Sequence, residues 1–252
     1  SMLGFFWSFM KPLLLMLILW FVFSTVLRLP EFRERNPKFP FALHLLSGVL
    51  AWTFFTGGLM DAMVSVYVNA NLIKKVQLNA AVFPIASVLA NLINYLLALV
   101  VLGCFMAAYR IAPGWPILLM PLIILLQTFW IMALALLLSC LYVFFRDLGS
   151  IMEVALTGWF YATPVIYPFW MAEREIPARL GNLVYYFYLA NPMIPIVAAG
   201  RRLMFSTRLN PPEMPDIHLL YYLIYCFCLS GVLYLIASRI FQKQARRFAD
   251  EL

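Results

Sequence analysis

Long apolar runs separated by short polar punctuation organise this chain. A membrane-crossing helix needs about 20 mainly apolar residues, and runs of that order recur. They predict span one at 12–29, span two at 41–68, span three at 82–109, span four at 117–145, span five at 149–163 and span six at 219–240. Between them lie the charged loop "RLPEFRERNPKFP", the polar segment "NANLIKKVQLNA", the turn "RIAPGWP", the pair Arg146–Asp147 and a long mixed segment to His218. Pro12–Leu27 follows Lys11 as the core of a signal peptide would. No small-residue cleavage site follows it and the apolar run already begins at Met2, so it reads as the first span. Without internal repeat or low-complexity linker, residues 1–252 read as one integral domain.

Span five breaks the pattern. It has about 15 residues before Pro164, short of a full crossing. The sequence after it, "PVIYPFWMAEREIPARLGNLVYYFYLANP", mixes helix breakers with an amphipathic patch of Leu180, Leu183, Val184, Phe187 and Tyr188. Proline removes a backbone donor. Irregular backbone at membrane depth survives only inside protein or beside a water-filled cavity. Span five is therefore expected to end early, with the chain returning through short helices at the outer surface. A gate or pore mouth would look like this, and so would a static cap.

Composition turns the pattern into a class. The chain is 65% hydrophobic and 12% charged, against about 45–50% and 25% in ordinary soluble domains, so it is a polytopic membrane protein. Its net charge of +7 does not call for nucleic acid, because the basic residues flank apolar runs as membrane anchors do. With six spans both termini share a side. That side holds eight Lys/Arg (Lys11, Lys74, Lys75, Arg146, Arg239, Lys243, Arg246 and Arg247) against ten opposite, five of them in the long segment after span five. The positive-inside rule applies to short loops; setting that segment aside gives a lean toward cytoplasmic termini.

Candidate chemistry is sparse. His44 and His218 lie at span edges with no acid or nucleophile assembled beside them, and are expected to make interfacial hydrogen bonds. Cys104, Cys140, Cys226 and Cys228 lie in apolar stretches and read as core thiols, with no metal site implied. No phosphate-cradling glycine loop occurs, so ATP, if used, binds another chain. Asp61 and Glu153 fall inside spans, where an ionised carboxylate costs about 3 kcal/mol. Glu153 is two turns from Arg146, which favours a near-surface or interhelical group over a proton site. Asp61 is deeper, beside Gly57 and Gly58, and both readings stay open for it. Asn91 and Asn94 share a face of span three and read as interhelical contacts. In "NLIKKVQLNA", Leu72, Ile73, Val76 and Ala80 share one helical face, while Asn71, Lys74 and Lys75 fall elsewhere. Either a short amphipathic surface helix or a solvated loop fits.

Five stretches, in order, resemble a known family: "LGFFWSFMKP" at 3–12, "VFPIASVLANLINYLLAL" at 82–99, "VFFRDLGSIMEVAL" at 143–156, "FYATPVIYP" at 160–168 and "NPMIPIVAAGRRLMF" at 191–205. The family is the transmembrane subunit of type-2 ABC exporters for lipid-linked polysaccharides, such as O-antigen and teichoic-acid transporters. One departure is visible: the family carries an amphipathic interface helix ahead of "LGxxW", and this chain starts at its edge.

The resemblance implies an all-α integral membrane protein of six transmembrane helices, paired as a homodimer with two cytoplasmic ATPase subunits. It implies an inner-membrane location with cytoplasmic termini, no cofactor on this chain, and ATP and Mg on the partner. Asn71, Leu72, Ile73, Lys74, Lys75 and Val76 would lie on a coupling helix docking into the ATPase, with Arg146 and Asp147 as a second contact or a stabilising pair. Pro168–Ala190 would form short external gate helices, putting Pro164, Pro168, Leu183 and Phe187 in the gate region. A polyprenyl-diphosphate-linked glycan would pass between the first and fifth spans of two copies, with Trp159, Phe160, Tyr161 and Tyr167 offering faces for sugar stacking or packing. Two other classes compete. A proton-coupled secondary transporter would use Asp61 or Glu153 and show internal repeats. A membrane-embedded glycan or lipid transferase would need a polar catalytic cluster.

Overall fold

The computed structural model describes residues 41–75, 79–205 and 216–245, with isolated positions 10, 13, 14, 17, 18, 21, 22 and 214. Most of span one, much of the 3–12 motif and Val76 lie outside the described residues. Among the described residues the chain is all-helical: α1 (Phe41–Val68), α2 (Ala70–Lys75), α3 (Val82–Ala108), α4 (Met120–Phe144, after a 3-10 turn at Trp115–Leu119), α5 (Leu148–Tyr161), α6 (Phe169–Leu180), α7 (Asn182–Leu189), α8 (Met193–Phe205) and α9 (Asp216–Ala245).

Among the described residues, four segments are long and apolar enough to cross a membrane: Phe41–Val68, Val82–Ala108, Trp115–Phe144 and Ile217–Gln244. α7 and α8 form a further pair, bent by 70°. α5 has 14 residues. At 1.5 Å per residue it rises about 21 Å, less than the ~30 Å hydrocarbon core.

Local chemistry sets the helix ends. The Asn69 carbonyl, just past α1, accepts the Leu72 and Ile73 amides at 3.0 and 3.1 Å and so opens α2. Asn79 Oδ1 accepts the Ala81 amide at 3.1 Å and caps the start of α3. α3 closes in a Schellman pair, Ile111 N–H to Met106 O and Arg110 N–H to Ala107 O, with Arg110 in the left-handed region at φ 54. α6 runs through Pro177 and stops at Gly181, whose φ of 86 suits glycine alone among common residues.

The chain forms two compact units. Residues 1–53, 94–124 and 160–223 make the first, and its core includes Leu43, Leu45, Leu46, Phe169, Phe205 and the run Met193–Arg201 of α8. Residues 54–93, 125–159 and 224–252 make the second, where Val66, Ala80, Leu136, Cys140, Val143, Ala237 and Phe241 form a buried cluster. Among the described candidate spans α1 is the most enclosed: 67% of its most apolar stretch is buried, against 17% for α3 and for α9.

Several sequence expectations change here. α9 extends beyond 219–240 at both ends, and the long segment after span five holds a third helix, α8, that the apolar pattern does not announce. Only Cys140 and Cys226 are core thiols; Cys104 and Cys228 are exposed, because α3 and α9 turn much of their surface away from the protein interior. His44 is completely buried, its ring stacked on Phe41 at 5.8 Å, whereas His218 is exposed.

α1 approaches its neighbours closely at Gly57 and Gly58. A Cβ at Gly57 would lie 2.9 Å from Asn91 Oδ1, and one at Gly58 would lie 3.2 Å from Ile131 Cγ2. Replacing Gly58 with valine should cost about 1–3 kcal/mol through overpacking, seen as an earlier melting midpoint of the purified chain in detergent. An unchanged midpoint would contradict so close an approach.

Candidate functional site

The site grows from a backbone problem. α5 stops at Tyr161, and residues 162–168 are turns and bends before α6 begins. Pro164 cannot continue the ladder of amides, so the carbonyls of this stretch need donors from elsewhere. Each one from Phe160 to Val165 has a donor. The Phe160 and Thr163 carbonyls accept the Thr163 and Val165 amides at 3.2 and 2.7 Å. The Tyr161 carbonyl accepts the Tyr167 hydroxyl at 3.0 Å, and the Ala162 carbonyl accepts Asn191 Nδ2 at 3.2 Å. Arg201 supplies the last two, donating Nη1–H to Pro164 O at 2.5 Å and Nη2–H to Val165 O at 2.6 Å.

Arg201 is 1% exposed. Its planar fork also donates from Nη2 to the His44 carbonyl at 3.1 Å and from Nε to Ser47 Oγ at 3.4 Å. One guanidinium on α8 therefore ties the break to the first turns of α1. The fork fits because residue 48 is glycine: a Cβ there would overlap Nη2 and lie 2.8 Å from the Val165 carbonyl oxygen. Asn191 works at the other end of α8. Its Nδ2 also reaches Thr163 Oγ1 at 2.9 Å, and its Oδ1 accepts the Met193 amide at 3.0 Å to cap the helix.

Of the predicted gate residues, Pro164 and Pro168 are buried in or beside this break. Leu183 and Phe187, four apart on α7, are 70% and 73% exposed. The apolar patch on α7 thus faces outward from the chain. The predicted aromatic faces divide in two. Phe160 packs edge-on against Trp52 at 5.6 Å, and Trp159 against Phe55 at 5.1 Å, both on α1. Tyr161 is 61% exposed, and Tyr167 is half-buried with its hydroxyl committed to the break.

At α2, Ile73 packs against the buried cluster of the second unit, while Asn71 and Leu72 are exposed. Leu72 and Ile73 thus do not share a packed face: consecutive helical residues point about 100° apart. Lys74 and Lys75 lie on the last turn of α2. Arg146 and Asp147 form the exposed turn between α4 and α5, and the Arg146 guanidinium lies over the Tyr67 ring at 4.9 Å. Beside this turn is an open hollow of about 780 Å³ lined by Phe144, Phe145, Arg146 and Asp147. Asp61 accepts Asn91 Nδ2 at 2.8 Å, making Asn91 the interhelical contact expected of it; Asn94 is exposed. Glu153 is exposed on α5. Among the described residues no cluster of His, Cys, Asp and Glu could hold a metal.

Comparison with known proteins decides the family. No protein-family model matches the chain. The O-antigen export system permease protein RfbA of Myxococcus xanthus is 32% identical over 252 residues, covering 100% of this chain and 89% of that protein. The protein of the same name from Klebsiella pneumoniae is 28% identical over 257 residues, covering 100% and 88%. The chain belongs to the O-antigen export permease family.

That membership bears out the resemblance carried by the five motifs. Sequence reasoning about this permease missed Arg201 and Asn191, although both lie in the motif "NPMIPIVAAGRRLMF". The available signal was an arginine pair inside an apolar run bounded by "NP", where a charge without an internal role would be expensive. The donors around the break should differ in worth. Tyr167→Phe removes one donor and should cost about 1 kcal/mol, and Asn191→Ala should cost about 1–3 kcal/mol by stranding buried partners. Melting of the detergent-solubilised permease measures both, and a Tyr167→Phe loss at least as large as that of Asn191→Ala would contradict this ordering.

Proposed function

We propose that this chain is the membrane-spanning transport subunit, and not the enzyme, of an ATP-driven exporter that moves polyprenyl-diphosphate-linked, O-antigen-type polysaccharide across the cytoplasmic membrane. Similarity to O-antigen export permeases along the whole chain carries this reading. Two copies enclose the path, and two cytoplasmic ABC ATPase subunits bind ATP and Mg. Each subunit has six spans with both termini in the cytoplasm. α2 is the coupling helix, with Asn71 and Leu72 outward and Ile73 anchoring it, and Lys74 and Lys75 meeting acidic groups of the ATPase. Arg146 and Asp147 make the second contact.

At the other end, α6 and α7 are gate helices. Their support is the arrangement around the break: a short α5, a stretch from Phe160 to Val165 whose carbonyls all have donors, and outward-facing Leu183 and Phe187. Tyr161, exposed at the end of α5, is the conduit aromatic best placed to stack on sugar, while Trp159 and Phe160 brace α5 against α1. Asp61 serves packing through Asn91, and Glu153 lies near the membrane surface.

Proteoliposomes holding the permease with its ATPase should translocate O-antigen-type glycolipid on addition of ATP and Mg. A hydrolysis-dead ATPase should abolish this. Reversing charge at Lys74 and Lys75 should lower glycan exported per ATP about tenfold, within the usual range of site-to-site coupling, while Asp61→Asn should leave it near wild type. Transport that survives loss of hydrolysis would sink the ATP-driven reading, and transport lost through Asp61→Asn with ATPase activity intact would favour proton coupling.

A further inference from the structure

The bonds made by Arg201 exceed what capping the break requires. Two of its acceptors, Pro164 O and Val165 O, belong to the break, and two, His44 O and Ser47 Oγ, belong to the opening turns of α1. His44, Ser47 and Gly48 stand at helical spacing on one face of α1, and Gly48 leaves the room in which the fork sits. Burying a guanidinium is costly, and a well-packed apolar side chain would often serve bare helix packing as well or better. What an apolar side chain cannot do is hydrogen-bond two separate stretches of backbone at once. The hairpin α6–α7 starts directly from this break, with Phe169 buried and stacked on Tyr188 at 6.5 Å.

We propose that Arg201 is a positioning residue for export: it locks the break after α5 to α1, so that the α6–α7 hairpin keeps one placement relative to α1 through the transport cycle. The proposal rests on the exporter reading, and adds that glycan passage requires the hairpin and α1 to move as one body. Removing the fork frees the break without touching the surfaces proposed to meet the ATPase. ATP is then spent with little glycan moved.

The test uses the permease–ATPase complex in proteoliposomes, with Arg201→Met, Arg201→Lys and Gly48→Ala beside wild type. Gly48→Ala retains the charge and pushes the fork from its seat, so it tests the lock without deleting the arginine. Three quantities are read: assembled complex, ATP hydrolysed, and glycolipid exported per ATP. A fourth comes from spin labels at exposed Thr53 of α1 and Arg174 of α6, in a background without native cysteines. The lock predicts one narrow Thr53–Arg174 distance in wild type, the same with and without ATP. Arg201→Met and Gly48→Ala should broaden it and lower export per ATP about tenfold at near-normal hydrolysis, a coupling loss of ordinary size. Arg201→Lys should fall between.

A wild-type distance that shifts with nucleotide overturns the proposal, as does wild-type export per ATP from assembled Arg201→Met and Gly48→Ala complexes. Export that falls only in proportion to lost complex also overturns it, since that is the mark of a packing residue. If the wild-type complex moves no O-antigen-type glycolipid, the exporter reading fails and the distance measurement still decides the lock.

Discussion

A carbonyl surrounded by hydrocarbon has no water to turn to, so backbone that leaves a helix at membrane depth must find its donors within the protein. In this permease each carbonyl from Phe160 to Val165 has a donor from within the protein, through two local amides, a tyrosine hydroxyl, an asparagine and a guanidinium. α8 supplies the asparagine at its start and the arginine near its end. The burial of α8, the glycine at 48 and the carbonyl of His44 all follow from bringing that one cation to two stretches of backbone. Without α8, a short α5 ending in prolines would strand polar groups at a cost that no amount of apolar packing offsets.

The rest of the surface follows from the chain's solvent. Leu, Val and Phe side chains exposed on α3 and α9 are ordinary for helices that meet lipid, where no hydrophobic force drives them inward. Exposed polar groups are the informative ones. Asp61 is met by Asn91 across two helices that close up at Gly57, and Glu153 lies on α5, a helix with one buried residue, Leu156. A carboxylate on such a helix needs water or protein beside it. The proposed second copy and conduit supply that neighbour, and the same arrangement gives the outward aromatics of α5 and α7 something to face.

Sequence pattern reveals some of this and hides the rest for definite reasons. Span two is legible to the residue, because Pro40 and Asn69 bracket a mainly apolar run. The early end of α5 is legible because proline has a fixed local effect. α8 is not: Pro192 and Pro195 near its start read as loop, although a helix's first turn needs no amide donors, and Arg201–Arg202 reads as surface. The acceptors on α1 are 154 and 157 residues away from Arg201, beyond the reach of any periodicity. By sequence Arg201 counts among the five cations of the long segment after span five, while in the fold it is buried. At α2, the amphipathic pattern leaves helix and solvated loop both open, and only contact with the second unit's core distinguishes Ile73 from Leu72.

Central to this account is that the chain's two irregular ends have opposite assignments, the Arg146–Asp147 turn toward the ATPase and the α6–α7 hairpin toward the outside. Single cysteines at Asp147 and at Leu183, in an otherwise cysteine-free permease, test this in sealed right-side-out vesicles with a membrane-impermeant thiol reagent. The account predicts labelling of Leu183→Cys in intact vesicles and of Asp147→Cys only after permeabilisation. The reverse order, or labelling of both from one side, would contradict it.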